Sequence, residues 1–324
     1  MNNSFDAHTL VDAAGLRIDY VRSPANNGTL AFTFTERTNR ITDRQGFAES
    51  VLLGLGFDVI AVKASVDVWY DHLTDAHLEE VEAGILASDR NYTERVAYGS
   101  SMGAYAAIRF ARSLACDRVL ALSPLYDIRL DWERRWHVDV KGIRQERMMA
   151  EEYISPNCIY CLAFDPKNQD VRHIELYKKI ISPAMLRLIE APYAGHPVGY
   201  FLNQIGELKS LVHAVLVDGD VDKFCGRRFE NKGQSHLYLF WLADACLRRR
   251  KPRWALAFNL RAESMAPANA EYRRQQCMIY MALGRVQEAL RVGRVAIEMA
   301  PSHTAFEKYF ERVVAESGSA ALPK

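Results

Sequence analysis

The chain has 324 residues, enough for one full α/β domain and a smaller module. Its 41 Lys plus Arg against 40 Asp plus Glu leave a net charge of +1, so composition favours neither nucleic acid nor an anionic membrane surface as a partner. The opening Met-Asn-Asn-Ser-Phe-Asp has no basic-then-apolar leader pattern, and no run of about 18 apolar residues follows, so a cytoplasmic setting with no membrane span is expected.

Short apolar runs alternate with helix-like stretches along the first two hundred residues. Thr29–Thr35 is β-branched and aromatic and follows the turn signal Asn26-Asn27-Gly28, so it is read as a strand. Phe47–Leu55 has helical spacing and stops at Gly56, a residue suited to the left-handed position after a helix. Phe57–Val62 is the next strand and Ala76–Ala87 the next helix. Strand Glu94–Tyr98 enters a Gly-Ser cluster, and Met102–Leu114 leaves it as a helix. Strands follow at Asp117–Leu122, Cys158–Phe164 and Met185–Ala191. Cys158 and Cys161 make a single CxxC with no second pair, and they fit a buried strand better than a metal site. This alternation predicts an α/β domain over 1–234, a mostly parallel sheet with helices on both faces. Residues 127–156 interrupt it as a polar insertion, expected to be helical and to form a small cap.

From 235 to 324 the pattern is helix after helix. Met265-Ala-Pro returns 34 residues later as Met299-Ala-Pro, with Gly284 between them at a turn and small Ala289 and Ala296 where helices can approach closely.

Gly99-Ser100-Ser101-Met102-Gly103 is the chemistry-bearing motif. An apolar strand precedes it and an Ala-rich helix follows, which makes it a candidate nucleophile elbow with Ser101 as the nucleophile. A serine hydroxyl needs a base within hydrogen-bond reach. His196, in Ala191-Pro-Tyr-Ala-Gly-His-Pro197 just after a late strand, is the candidate base; His173 and His213 fall in helical stretches and read as surface or packing residues. The acid is Asp170 or, as the alternative, Asp165, both in the loop after Cys158–Phe164; Asp127 is a third choice. Asp170 could instead cap the following helix. Trp132 and Trp136 of the insertion are candidate substrate-binding aromatics, and Trp69 and Tyr70 could join them.

Serine, acid and histidine in this order resemble the α/β-hydrolase superfamily over residues 25–215. The early Gly-Phe-Asp-Val-Ile-Ala run and the Phe-Asp-Pro…Asp-x-x-His segment are loosely similar to a hydrolase of bacterial polysaccharide-modification clusters. The resemblance implies a serine esterase that works through an acyl-enzyme, with no metal or organic cofactor. It also implies an oxyanion hole from the Met102 N–H and a second donor near Thr35 or Glu36. Thr33-Phe-Thr-Glu-Arg37 lacks the usual His-Gly or Gly-Gly, so the Thr35 hydroxyl is a further candidate donor. Acyl transfer by the same residues, or a catalytically silent platform, are the alternatives. The C-terminal pattern resembles a tetratricopeptide repeat, which implies a helical module that packs on its own chain, a second copy or another protein.

Overall fold

In a computed structural model of the chain, residues 6–37, 42–144, 148–224, 229–301 and 304–318 are described. Two compact units divide the chain: Met1–Pro192 with His196–Arg228, and Tyr193–Gly195 with Phe229–Lys324. The compositional boundary at 234/235 falls slightly later than this division, because the short turn Glu230–Gln234 leads into the first helix of the second unit.

The first unit is built on an eight-stranded sheet. Its strands are β1 (Asp6–Ala13), β2 (Leu16–Arg22), β3 (Thr29–Phe34), β4 (Asp58–Ala64), β5 (Glu94–Ser100), β6 (Arg118–Leu122), β7 (Ile159–Phe164) and β8 (Leu186–Glu190), in the spatial order β1-β2-β4-β3-β5-β6-β7-β8. β2 is antiparallel to β1 and β4; every pairing from β4 through β8 is parallel. The first hairpin was not among the expected elements. Its signal is the alternation Leu16, Ile18, Tyr20, all buried, after the turn residue Gly15 at φ +83°.

The connections carry α1 (Glu49–Gly54), α2 (Asp75–Leu86), α3 (Met102–Phe110) and α4 (Val171–Ile180), followed after β8 by α5 (Val198–Gln204) and α6 (Leu208–Val212). Every residue of β3 and β4 is buried, as expected for strands covered on both faces. Phe32, Phe34, Ile60 and Leu162 pack with Ala104, Ala107 and Phe110 of α3, whose alanines let that helix lie close to the sheet. Cys158, just before β7, and Cys161, within it, are both buried.

The insertion differs from its expected helical form. Among its described residues the only helical pieces are the single turns Asp139–Gly142 and Glu151–Tyr153. Its charges pair two residues apart, Asp127 with Arg129 and Glu133 with Arg135, each carboxylate also accepting the arginine's own backbone N–H. Such local side-chain to backbone bonds compete with helix formation.

The second unit contains α7 (His236–Arg248), α8 (Pro252–Met265), α9 (Ala270–Ala282), α10 (Val286–Met299) and α11 (Thr304–Glu316). The 34-residue recurrence is structural. Ser235 caps α7 and Asn269 caps α9; the left-handed turn residue is Arg250 (φ +56°) in one hairpin and Gly284 (φ +71°) in the next. Ala289 and Ala296 are fully buried, and Gly293 gives room to the Phe310 ring, where a Cβ would sit 2.2 Å from it. Tyr193 packs edge-on against Tyr238, and the Trp241 indole lies on the Gly195 backbone, so this tripeptide belongs to the helical unit.

Candidate active site

The elbow is made by two glycines that no other residue could replace without a backbone clash. A Cβ on Gly99 would fall 2.2 Å from the Gly103 carbonyl oxygen, and one on Gly103 would fall 2.3 Å from the Phe34 oxygen. The turn they permit puts Ser101 at φ 53° and ψ −114°, a strained backbone for a residue with a side chain, and presents it at the carboxyl end of β5. The Ser101 N–H donates to the Leu122 carbonyl at 2.8 Å, which ties the turn to β6.

His196 follows β8 on the same edge of the sheet. Its loop is anchored by the Ala191 N–H to the Phe164 carbonyl, 2.9 Å, and by the Val198 N–H to Ser123 Oγ, 2.9 Å. The His196 Nε2 lies 2.8 Å from Ser101 Oγ, and Nδ1 lies 2.8 Å from Asp170 Oδ2. An ionised carboxylate only accepts, so Nδ1 carries the proton and Nε2 is left to accept from the serine hydroxyl. Asp170 is fully buried. Burial pushes its carboxyl up, but His196 and Arg135 outweigh that and hold it below its ordinary value. It makes no side-chain cap on α4, so the capping role is not the one it plays. Asp165 instead accepts from the Lys167 N–H in its own turn, and Asp127 pairs with Arg129.

Of the expected oxyanion donors, Met102 opens α3, where first-turn N–H groups have no intrahelical acceptor. Thr35 is otherwise engaged: its N–H donates to the Val62 carbonyl at 3.2 Å, and its hydroxyl takes the Ala64 N–H and contacts the Tyr70 hydroxyl. Parallel pairing at the end of β3 uses up its donors, and this leaves the next amide, Glu36. The Glu36 carboxyl is half-buried and raised by that burial, against the opposing Tyr200 hydroxyl, which donates to it at 3.2 Å, and His196 nearby.

The aromatic candidates separate. Trp136 stands 5.5 Å from the His196 ring, centroid to centroid, with the Arg37 guanidinium 5.3 Å over it and Trp69 edge-on behind. Trp69 is buried and donates Nε1–H to Asp139 at 3.1 Å, which also takes a two-pronged bond from Arg37. Trp132 is 4.6 Å from the His173 ring, centroid to centroid, and has the Arg172 guanidinium 4.0 Å over its ring. Tyr70 is a core residue that buttresses Thr35.

Arg135, Glu133 and His173 have no counterpart in the expected site. His173, read from sequence as a surface or packing residue, is fully buried and its Nε2 is 2.9 Å from Glu133 Oε2. Arg135 reaches Asp170 Oδ1 at 2.7 Å.

An antiparallel edge on a parallel sheet, a serine on the turn between the central strand β5 and α3, and a histidine after β8 define an α/β-hydrolase fold. No family model and no curated protein matches the chain. Among solved structures it is similar to esterase 2 of Thermogutta terrifontis, at 12% identity over 68% of this chain and 97% of the other, with a TM-score of 0.48. It is similar to the capsule O-acetyltransferase of Neisseria meningitidis serogroup A, at 12% identity over 63% and 92%, TM-score 0.46. A dienelactone hydrolase from Anabaena variabilis gives 14% identity over 68% and 98%, TM-score 0.44.

Proposed function

We propose that the chain is a serine esterase that cleaves an acyl ester through an acyl-enzyme. The observation that carries this reading is the Ser101 hydroxyl, on its strained elbow, 2.8 Å from an imidazole nitrogen that is set to accept its proton. In the first step Ser101 Oγ bonds to the ester carbonyl carbon while its proton passes to His196 Nε2. Negative charge gathers on the carbonyl oxygen, where the N–H groups of Met102 and Glu36 are the candidate donors. Collapse of the tetrahedral species breaks the bond to the alkoxy oxygen, which leaves as an alcohol with the proton from His196. Water then gives a proton to His196 and attacks the acyl carbon; the bond to Ser101 Oγ breaks, Oγ takes that proton back from His196, and the carboxylic acid leaves. Asp170 keeps Nδ1 protonated and stabilises the imidazolium that forms at each step.

The test is turnover of a chain-length series of nitrophenyl esters, with and without added sugars as acyl acceptors. Hydrolysis by the wild type and loss of at least about a thousandfold in Ser101→Ala, with an unchanged melting curve, is the expected result. Equal turnover in both proteins would remove Ser101 from the reaction.

A further inference from the structure

Asp170 has a second partner besides the histidine, and it comes from the insertion. The Arg135 guanidinium bridges two wholly buried carboxylates: Nη1 donates to Asp170 Oδ1 at 2.7 Å, and Nε donates to Glu133 Oε1 at 3.0 Å, with Nη2 on Glu133 Oε2. The Arg135 backbone N–H donates to Glu133 as well, at 3.0 Å, which fixes the two residues to one another.

The far end of this chain has an assignable proton. The Tyr126 N–H points at His173 Nδ1, 3.1 Å away, so Nδ1 is the acceptor and Nε2 carries the hydrogen that is donated to Glu133. His173 is therefore neutral; burial holds it below its ordinary value despite the carboxylate beside it. Glu133 is ionised, because His173 and Arg135 overcome the effect of burial and hold it at about 2. One cation thus serves two anions, Asp170 and Glu133, and the set carries one net negative charge. A triad acid needs only a histidine partner and a place to sit; a shared arginine is an addition with an electrostatic consequence. The charge of Asp170 is what stabilises the imidazolium of His196, and Arg135 opposes that stabilisation from the other carboxylate oxygen.

We propose that Arg135 is a positioning residue for the reaction: it fixes Asp170 and shares its charge, and so sets the pH at which His196 takes up the Ser101 proton. This rests on the esterase reading for its catalytic meaning, while the coupling between Arg135 and His196 can be read without turnover. The other groups around His196 are Ser101, the half-buried Glu36 carboxyl with Tyr200, and the Trp136 ring with Arg37 and Asp139 behind it. None of them is altered in the variants below.

The experiment follows the His196 imidazole resonance by NMR in the full chain labelled at histidine, assigned with His196→Gln, alongside the pH profile of kcat/KM on a nitrophenyl ester. Arg135→Gln removes the opposing cation, so the His196 titration and the acidic limb move together to higher pH, by about one unit. Glu133→Gln leaves Arg135 to act on Asp170 alone, so both move to lower pH. Arg135→Lys keeps the charge but loses the fork, so the limb stays within about 0.3 units while kcat falls by about tenfold. If Arg135→Gln does not fold, the Glu133→Gln and Arg135→Lys proteins still test the sign and the charge dependence. Opposite shifts for Gln at 135 and at 133 support the proposal. A titration that stays put in both, or moves the same way in both, overturns it. A wild type with no turnover but with these opposite titration shifts would reject the esterase reading and leave the coupling standing.

Discussion

Each unit of the chain buries a polar network, and the two networks end differently. In the helical unit, Asn259 of α8 donates to the Tyr272 carbonyl at 3.1 Å and to Gln275 at 2.8 Å, and Gln275 of α9 donates onward to the Phe240 carbonyl of α7. The donors finish on backbone oxygens, so the network locks three helices in place. In the sheet unit the chain runs from His173 through Glu133, Arg135, Asp170 and His196 and finishes on the Ser101 hydroxyl. Both pair buried polar groups, as a folded interior requires, although in the first the Asn259 Oδ1 has no hydrogen-bond partner among the described residues. Only the second ends on a side-chain hydroxyl beside an imidazole nitrogen, the pair that the proposed reaction uses as nucleophile and base.

The largest way to break this contrast is at its centre. Asp170→Asn keeps the shape of the carboxylate but removes its charge and presents an amide to Nδ1, which favours the wrong tautomer of His196. The rate on a nitrophenyl ester should fall by about four orders of magnitude. Asp165→Asn, at a carboxylate that accepts the Lys167 N–H of its own turn, should change it by less than about tenfold. The reverse ranking, read from the same steady-state assay, would move the acid to Asp165.

The difference between the networks also explains what the sequence made visible. The elbow was legible because Gly99 and Gly103 are a steric necessity, and a steric necessity leaves its mark on residue type at fixed spacing. His196 and the choice between Asp170 and Asp165 were legible because chain order places late loops at the carboxyl edge of a parallel sheet. Arg135 and Glu133 were not, because they sit in an insertion without periodicity and reach residues 35 and 40 positions away, Asp170 and His173. His173 looked ordinary because its helix is amphipathic and its partner lies in that same irregular segment. Thr35 was misassigned as a donor because hydrogen bonding at a strand end depends on register, which the strand's composition does not specify.

A smaller perturbation asks how the segment just before His196 is held. Tyr193–Gly195 belongs to that unit, and the residue that follows is His196. Trp241 covers Gly195 so closely that a Cβ there would lie 1.7 Å from its Nε1. Trp241→Ala should leave the far-ultraviolet circular dichroism unchanged while kcat/KM falls by about tenfold to a hundredfold through loosening of the segment before the base. An unchanged kcat/KM would mean that the Trp241–Gly195 contact does not help to place His196.

The smallest effect tests the repeat. Arg250 holds the left-handed turn position that Gly284 holds in the next hairpin. Arg250→Gly relieves about 1–2 kcal/mol of backbone strain and costs about 0.5–1 kcal/mol of unfolded-chain entropy. A gain of about 0.5 kcal/mol, near 1 °C in melting temperature, should be visible by calorimetry. A loss of stability would mean that the Arg250 side chain contributes more than its backbone costs.

The central claim is that Ser101 is an activated nucleophile, and the most direct measurement is covalent labelling. A fluorophosphonate reacts with a serine whose proton can be removed, whatever ester the protein acts on. Intact-mass and peptide mass spectrometry of the full chain should show one adduct, on the peptide that contains Ser101. Ser101→Ala should show none, and His196→Gln should label at least about a hundredfold more slowly. An unlabelled wild type, or an adduct that persists in Ser101→Ala, would contradict the account.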